Sequence, residues 1–258
     1  MRKSSGGPAG SSRIVKLQHL IGGRGALPLA DAAKFLGVSA MTVRRDLAVP
    51  GAPLACFGAH VVRLGAGAGA KYTLEAERDQ HASNKLLACR RAAELVKAGD
   101  SLFIDCGTTM PHFAASLPVG VPLDVVCYSM NVALILSRRP NTQLMLLGGL
   151  YHASSATFFS DEALLFLKRL GLSKAFISAG GVHGRRGASC SNFSEVPIKQ
   201  AAMANAAESI LVVDESKLGG VKPAFFSPLG QFSRIIVGGA PARQQLARFK
   251  GKKLQVVH

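Results

Sequence analysis

The feature that most constrains the fold is the run of residues 29–47, which reads as two short helices joined by a tight turn. Gly37 stands at the turn, where glycine adopts a positive φ without steric cost. Ser39 is a favourable N-cap for the second helix. Val43 and Leu47 are four residues apart and therefore share one face of that helix. The pattern predicts a helix-turn-helix, with a hairpin of surface helices as the simpler alternative.

The opposite face of the second helix is too basic for a core and suits the major groove of DNA. The residues predicted to contact DNA are Ser39, Met41, Thr42, Arg44 and Arg45. Which of them reads a base and which holds a phosphate stays open, because arginine does both. Further basic residues are expected near phosphates, where they add affinity rather than sequence choice; these are Arg13, Lys16 and Lys34.

The charge of the chain favours a polyanionic partner. The sequence has 31 Lys and Arg against 15 Asp and Glu, a formal net charge of +16. Residues 1–58 hold eight basic and two acidic side chains, so the helix-turn-helix lies in a strongly basic segment. Aromatic residues make up 6% of the chain and Trp is absent, which disfavours stacking on single-stranded bases. Double-stranded DNA is therefore the expected partner.

The five scattered cysteines predict buried free thiols rather than disulfides or a metal site. They show no CxxC motif and no metal-ligand spacing, and most have apolar neighbours. Their odd number and the lack of a signal peptide predict a reducing, cytoplasmic location. No apolar run approaches the roughly 18–20 residues that span a bilayer. We expect neither a metal nor a cofactor.

Hydrophobic periodicity places the helix-turn-helix in a small domain of residues 13–64. Residues 13–21 carry apolar side chains at helical spacing and predict a first helix packed behind it. Pro50–Pro53 cannot continue a helix. Leu54–Gly58 and Val61–Leu64 then read as a two-stranded wing. The domain is therefore predicted to be a winged helix-turn-helix.

Two segments of biased composition flank this domain. Residues 1–12 are rich in Gly and Ser and predict a disordered, basic tail. Residues 65–82 begin with alternating Gly and Ala and continue with polar and charged residues. That composition predicts a linker, which can include a connecting helix.

From residue 83 to residue 258, strand-like apolar runs alternate with helical stretches. The predicted strands are Ser101–Ile104, Val125–Cys127, Leu144–Leu147, Ala175–Ser178, Ile210–Val213, Ile235–Val237 and Leu254–Val257. The predicted helices are Ser83–Lys97, Asn131–Arg138, Asp161–Leu170, Glu195–Glu208 and Ala242–Lys250. Such alternation is typical of a mostly parallel sheet covered on both faces. Residues 83–258 are therefore predicted to form one Rossmann-like α/β domain.

The segment Asp105–Thr109 has the composition of a ligand-binding loop. It directly follows a predicted strand, and ligands of open α/β sheets bind at the carboxyl ends of the strands. Gly107 permits close backbone approach, and the N–H groups and threonine hydroxyls suit a phosphate. A capped turn without a ligand is the alternative. The Lys-Ser/Thr pair of a P-loop does not follow, so nucleotide hydrolysis is not expected.

Later strands also end in polar segments. Ser129 and Asn131 are candidate ligand contacts or simple helix caps. Glu195 and Lys199 are four residues apart, and this spacing alone favours a surface ion pair over a proton-transfer pair or ligand clamp. Lys217 is a candidate contact for a phosphate or a sugar hydroxyl, with a solvated loop charge as the alternative.

Taken together, seven motifs resemble those of the DeoR family of bacterial transcriptional regulators, from about residue 13 to the end of the chain. They are Val38–Leu47, Asp105–Thr109, Cys127–Asn131, Gly149–Ser154, Ala179–His183, Glu195–Lys199 and Val213–Lys217. The resemblance implies a DNA-binding domain followed by a sensor that has the fold of ribose-5-phosphate isomerase and glucosamine-6-phosphate deaminase. Phe57–His60 stands where the family commonly has paired glycines, which leaves the wing geometry and the operator preference open.

Members of this family usually repress sugar or nucleoside operons and respond to a phosphorylated sugar. The resemblance therefore implies an oligomeric repressor of a deoxyribonucleoside or sugar catabolic operon, with deoxyribose 5-phosphate as inducer. The effector contacts that it implies are Asp105, Gly107, Thr108, Thr109, Asn131, Lys199 and Lys217. One alternative is a regulator that activates or senses another phosphosugar. The other, less favoured, is an isomerase or deaminase that uses Glu195, Lys199 and Asp105 as acid and base groups.

Overall fold

The computed structural model describes residues 8–21, 26–49, 52, 54–63, 81–249, 251 and 253–258. The chain divides into two units, Met1–Lys71 and Tyr72–His258. The division falls inside the predicted linker of residues 65–82.

Within the described residues, the N-terminal unit has three helices and a small antiparallel sheet. The helices are α1 (Pro8–Ile21), α2 (Leu29–Leu36) and α3 (Ala40–Leu47). The strands are β1 (Ala26–Pro28), β2 (Leu54–Phe57) and β3 (His60–Arg63), in the order β1–β3–β2. The predicted winged helix-turn-helix is confirmed. The strand β1, which widens the wing to three strands, is a feature that the sequence does not indicate.

The turn between α2 and α3 has the geometry that its residues predict. Gly37 adopts φ +65°, the left-handed region that favours glycine. The Oγ of Ser39 accepts a hydrogen bond of 3.1 Å from the backbone N–H of Thr42, so Ser39 caps α3. Val43 and Leu47 are buried in the core of this unit. The other side of α3 is thereby turned to solvent.

The first helix begins earlier than the sequence suggests. Residues 8–12 belong to α1, so the predicted disordered tail of residues 1–12 is wrong for this part, and residues 1–7 lie outside the described residues. Proline is favourable in the first turn of a helix, because the backbone N–H that it lacks would have no hydrogen-bond partner there, and Pro8 begins α1. Of the predicted linker only residues 81 and 82 are described, and Ala82 already starts a helix.

The C-terminal unit is an α/β domain. Its main strands are β4 (Ser101–Ile104), β5 (Leu123–Cys127), β6 (Thr142–Leu146), β9 (Leu172–Ile177), β12 (Ala206–Asp214), β14 (Arg234–Gly238) and β15 (Leu254–Val257). They form one parallel sheet in the order β15–β14–β12–β9–β4–β5–β6. The helices are α4 (Ala82–Ala93), α5 (Met110–Ser116), α6 (Met130–Leu136), α7 (Asp161–Leu167), α8 (Val196–Ala204) and α9 (Arg243–Ala247). The predicted parallel α/β class is confirmed.

Smaller antiparallel strands accompany this sheet. The strands β7 (Leu150–His152) and β8 (Thr157–Phe159) form a hairpin. The strands β10 (Gly181–His183), β11 (Gly187–Cys190) and β13 (Ala224–Ser227) form a three-stranded sheet. The sequence does not indicate them, because glycine and polar residues interrupt most of these segments, which lack the continuous apolar runs of the main strands.

Helix ends differ from the predictions where the chain pairs with the sheet. The predicted helix Glu195–Glu208 ends at Ala204, and Ala206 begins β12. Glu208 pairs in register with Lys174 of β9, so strand pairing overrides its helix propensity. The helix α4 also ends earlier than predicted, at Ala93 rather than at Lys97, and turns follow it before β4.

Both faces of the main sheet are buried. Successive side chains of a strand point to opposite faces. In β12 the side chains of Leu211 and Val213 therefore join one core, and those of Ile210 and Val212 join the other. All five cysteines are free thiols and four of them are buried, which confirms the expectation from their spacing. Among the described residues, no helix has the length and apolar character of a membrane span.

Candidate functional site

In the N-terminal unit, the candidate DNA-contacting surface is the solvent side of α3. Met41 is 66% exposed. Arg44 and Arg45 are also exposed, and Thr42 is half-buried. Ser39 stands at the start of the helix, where its side chain caps α3. The structure thus places the five predicted residues on or next to one helix, and their contact with DNA stays a prediction.

Arg44 makes a second contact that the sequence does not indicate. Its Nη2 donates a hydrogen bond of 2.9 Å to the carbonyl oxygen of Gly58, in the turn between β2 and β3. This bond fixes the wing turn beside α3, so Arg44 positions the wing. Within the described residues, Arg45 makes no comparable hydrogen bond.

Arg13 is held by a carboxylate. Its Nε and Nη2 donate to Asp46 Oδ2 and Oδ1 at 2.6 and 3.0 Å, a bidentate pair between α1 and α3. The side-chain hydrogen bond to Asp46 raises the pKa of Arg13 above its usual value. Arg13 therefore joins α1 to α3, and its predicted place near a phosphate stays a prediction. Lys16 and Lys34 are exposed, and their predicted contacts with phosphates stay predictions.

In the C-terminal unit, a polar pocket lies at the carboxyl ends of the parallel strands. Its walls include residues 106–109 after β4, residues 178–180 after β9 and Lys217 after β12. Three lysines line it: Lys199, Lys217 and Lys222. Among its described lining residues, Glu195 is the one carboxylate. An excess of ammonium groups beside a glycine-rich loop suits an anionic ligand.

Asp105 lies beneath this pocket and is completely buried. Its Oδ1 accepts a hydrogen bond of 2.8 Å from the hydroxyl of Tyr128. Its Oδ2 accepts bonds from the N–H and the hydroxyl of Ser178, at 2.7 and 2.9 Å, and pairs with the Lys199 ammonium. The carboxylate is thus occupied by protein donors, and it orients Ser178 and Lys199 at the floor of the pocket.

Lys199 is buried and charged. Besides Asp105, it donates to the carbonyl oxygen of Ser178 at 3.3 Å and lies 3.7 Å from Glu195 Oε2. Burial by itself lowers the pKa of Lys199, but the carboxylates of Asp105 and Glu195 outweigh it and hold that pKa well above its usual value. The predicted ion pair between Glu195 and Lys199 is present, but its expected place on the surface is wrong, because both side chains are buried. A 3-10 turn, Phe193–Glu195, precedes α8 and directs both side chains to the pocket.

The predicted effector contacts fall into three groups. Those that line the pocket are Gly107, Thr108, Thr109, Lys199 and Lys217. Asp105 lies below the surface of the pocket, where it acts on Lys199. Asn131 is in the first turn of α6 and is not among the lining residues. Ser129 precedes α6 in the N-cap position but makes no side-chain cap bond.

Lys222 and Ser178 also line the pocket, although neither is predicted from the sequence. Lys222 lies across Gly180, and a Cβ on that glycine would stand 3.0 Å from Lys222 Cγ. Lys222 stands two residues after the pair Gly219–Gly220, and paired glycines close to a lysine are a signal that points to it. Ser178 is the last residue of a predicted strand, so no local signal marks it.

Two cysteines line the pocket as protonated thiols. Burial raises the pKa of Cys106 well above its usual value, and the carboxylates of Glu195 and Asp105 raise it further. Burial also raises the pKa of Cys190, to about 12. Because the thiolate is the nucleophile and the metal ligand, neither group acts as one at neutral pH. Within the described residues, no cluster of His, Cys, Asp and Glu can hold a metal ion.

Comparison with known families matches both units. Residues 13–49 match the DeoR-like helix-turn-helix domain. Residues 80–239 match the DeoR C terminal sensor domain. The first match contains α3 and the second contains the pocket.

Individual relatives match most of the chain. The deoxyribose operon repressor of Escherichia coli K12 is 35% identical over 246 residues, which are 95% of this chain and 97% of that protein. The lactose phosphotransferase system repressor of Streptococcus mutans is 30% identical and covers 87% of this chain and 90% of its own. Among solved structures, a ribose 5-phosphate isomerase of Methanocaldococcus jannaschii is 20% identical, with a TM-score of 0.40, over 54% of this chain and 55% of its own.

Proposed function

The chain belongs to the DeoR family, and on that basis we propose that it is a transcriptional repressor of a sugar or deoxyribonucleoside catabolic operon. The N-terminal unit binds double-stranded operator DNA. A phosphorylated sugar in the pocket of the C-terminal unit weakens that binding. All five cysteines are free, which suits the reducing cytoplasm in which bacterial DNA lies.

The observation that carries this proposal is the chemistry of the pocket. The ammonium groups of Lys199, Lys217 and Lys222 surround a space next to the loop of Gly107. A phosphate takes several charge-assisted hydrogen bonds from such a set. Glu195 lines the same pocket and can accept hydrogen bonds from sugar hydroxyls. A phosphorylated sugar supplies both the anion and the hydroxyl groups.

We further propose deoxyribose 5-phosphate as the inducer. The support for this choice is the relative that is 35% identical along nearly the whole chain, which is named a deoxyribose operon repressor. The alternative inducer is another phosphosugar, since the lactose phosphotransferase system repressor is 30% identical.

Release from DNA tests the proposal. We expect deoxyribose 5-phosphate to raise the Kd for a duplex from the region upstream of its own gene by about 5–150-fold, the usual range of allosteric coupling. Fluorescence anisotropy of the labelled duplex measures this Kd with ribose 5-phosphate, deoxyribose and inorganic phosphate as comparison ligands. Equal affinity for a scrambled duplex would contradict sequence-specific operator binding. Release by ribose 5-phosphate alone would instead correct the inducer.

The arrangement of the acid and base groups favours a regulator over an enzyme, in agreement with relatives that are named repressors. The Asp105 carboxylate is filled by donors of the protein. Lys199 holds its proton because neighbouring carboxylates raise its pKa. Neither group is poised for proton transfer at neutral pH.

We also propose that the repressor is a dimer or higher oligomer whose copies meet along β6. This strand pairs with β5 on one side, and no described strand pairs with its other side. Apolar side chains are exposed on β6 and on β7, the next strand along the chain: Met145, Leu146, Leu150 and Tyr151. We call these two strands the uncharged edge. An open, apolar strand edge is a template for pairing with another chain.

Charge favours a second copy as the occupant of the uncharged edge. Residues 140–160 contain no Asp, Glu, Lys or Arg, the longest such run in a chain of net charge +16. Two strongly basic chains repel each other least where neither presents a charge. A two-fold axis places the same strand of both copies side by side, antiparallel. A polyanion would gain no electrostatic attraction on this edge.

Leu150→Lys is expected to weaken self-association by at least about tenfold, which corresponds to about 1.4 kcal/mol. Leu150 is 70% exposed, so the lysine is tolerated in a single copy but brings two like charges together in a dimer. Sedimentation velocity measures the change. Val119→Lys is the matched control, because Val119 is 86% exposed and lies outside the uncharged edge. If both variants dissociate to the same extent, the interface lies elsewhere. If the parent protein is a monomer, the proposed oligomer is excluded.

A further inference from the structure

The turn after β12 contacts both the pocket and the helix α4. In the 3-10 turn Glu215–Lys217, Lys217 lines the pocket. Glu215 accepts a hydrogen bond of 3.1 Å at Oε1 from Asn84 Nδ2. Asn84 lies in the first turn of α4, which follows residues 64–80. One short turn therefore touches the pocket at one end and, at the other, the helix to which the N-terminal unit is connected by the chain.

Hydrogen bonds hold this turn together as a unit. The buried carboxylate of Asp214 accepts at Oδ1 from the N–H of Ser216 at 2.9 Å, and also from the hydroxyl of Ser216. The N–H of Leu218 donates to the carbonyl oxygen of Glu215 at 3.1 Å. A displacement of Lys217 is therefore passed on to Glu215 rather than absorbed by a loose loop.

Two glycines fit the start of α4 closely against this turn. A Cβ on Gly238 would overlap the carbonyl oxygen of Asn84. A Cβ on Gly239 would lie 2.7 Å from Glu215 Cδ and 2.9 Å from Asn84 Nδ2. Because packed groups leave no empty space between them, Glu215 cannot move without shifting Asn84 or breaking the bond to it.

We infer that the turn Asp214–Lys217 transmits effector binding from the pocket to α4. The inference rests on the proposed function and names the regulatory contact of the same site. An anionic ligand attracts the ammonium of Lys217. The turn follows this movement and changes the contact between Glu215 and Asn84. The start of α4 then differs between the two ligand states, which is the differential contact that allosteric coupling requires.

Asn84→Ala tests this transmission because it removes the amide that meets Glu215 and leaves the lining of the pocket intact. We expect the Kd values for deoxyribose 5-phosphate and for the DNA duplex alone to stay within about threefold of the parent protein. In the parent protein, the sugar phosphate weakens DNA binding by a certain factor. We expect this factor to be at least about fivefold smaller in the variant, which is a loss of most of a typical allosteric coupling. Isothermal titration calorimetry and fluorescence anisotropy measure the two affinities.

Three further variants sharpen the test. Asn205→Ala is the matched control, because Asn205 Nδ2 also makes one hydrogen bond, 2.8 Å to the carbonyl oxygen of Ala201 at the end of α8. We expect it to respond like the parent. Glu215→Ala removes the same contact from the other side. Combined with Asn84→Ala it is expected to cause no further loss, since both remove one shared interaction. Glu215→Gln keeps an acceptor oxygen and is expected to keep most of the response.

The outcomes separate this inference from the proposed function. A parent protein that binds the duplex but ignores every sugar phosphate refutes both. A parent that responds, together with an Asn84→Ala variant that responds equally, refutes the transmission alone. An Asn84→Ala variant that loses more than about tenfold in sugar-phosphate affinity also refutes the transmission, because Asn84 would then support the pocket itself.

Discussion

Asp105→Asn is expected to lower the free energy of unfolding of the C-terminal unit by about 3–5 kcal/mol, the usual result of removing one partner of a buried ion pair. Asp105 is 0% exposed and Lys199 is 1% exposed, so water cannot replace the lost carboxylate. Glu195 Oε2 stands 3.7 Å from the Lys199 ammonium, too far for a short charge-assisted hydrogen bond. Urea denaturation followed by circular dichroism measures the change.

The double variant Asp105→Asn/Lys199→Met separates stability from ligand binding. Because both charges leave together, we expect it to recover most of the lost stability. It is not expected to recover the response to a sugar phosphate, since Lys199 lines the pocket. Glu94→Gln is the control for an exposed pair, here with Arg91, and is expected to cost at most about 0.5 kcal/mol. An unchanged urea midpoint for Asp105→Asn would contradict the structural role of the pair.

The pH dependence of this stabilisation follows from the raised pKa of Lys199. A lysine whose folded pKa exceeds its unfolded value of 10.5 stabilises the folded state fully below that value. The contribution is lost only as the pH rises through the higher folded pKa. We therefore expect the contribution of Lys199 to the free energy of unfolding of the parent protein to be constant between about pH 6 and pH 9, as measured by urea denaturation across that range.

Features set by local chemistry are the ones that the sequence predicts well. Gly37 and Ser39 determine the turn and the helix cap through their own conformational and hydrogen-bonding preferences. Continuous apolar runs likewise predict the strands of the main sheet. In contrast, β10 and β11 are held by pairing with each other and with β13, so their short segments carry no signal of their own.

In the candidate pocket, too, features set by local sequence are predictable and features set by packing are not. A glycine and two threonines after a buried strand are sufficient to predict the loop of Gly107 as a pocket wall. The spacing of Glu195 and Lys199 is the same on a surface helix and in a pocket, so it cannot distinguish the two. Which side of α8 faces the sheet depends on packing. Similarly, Arg13 reads as a free basic group until the fold brings Asp46, 33 residues away, against it.

Arg45→Ala is expected to weaken operator binding by about 1–3 kcal/mol, the usual loss for an arginine that reads a base. The guanidinium of Arg45 is exposed on the solvent side of α3. Arg44, by comparison, donates a hydrogen bond to the carbonyl oxygen of Gly58, so its substitution would also disturb the turn of the wing. Lys34→Ala is the matched control, because Lys34 is an exposed cation of α2 that is predicted to contact a phosphate. Fluorescence anisotropy with operator and scrambled duplexes at several salt concentrations gives the Kd values.

The dependence of the Kd on salt concentration and on DNA sequence distinguishes a base contact of Arg45 from a phosphate contact. If it reads a base, the variant loses affinity for the operator much more than for the scrambled duplex. If it holds a phosphate, both affinities fall together, and the slope of log K against log salt concentration decreases by about 1. We expect the first result for Arg45 and the second for Lys34. Unchanged binding in Arg45→Ala would contradict the α3 surface as the operator contact, because Arg45 lies on its exposed side with no other partner among the described residues.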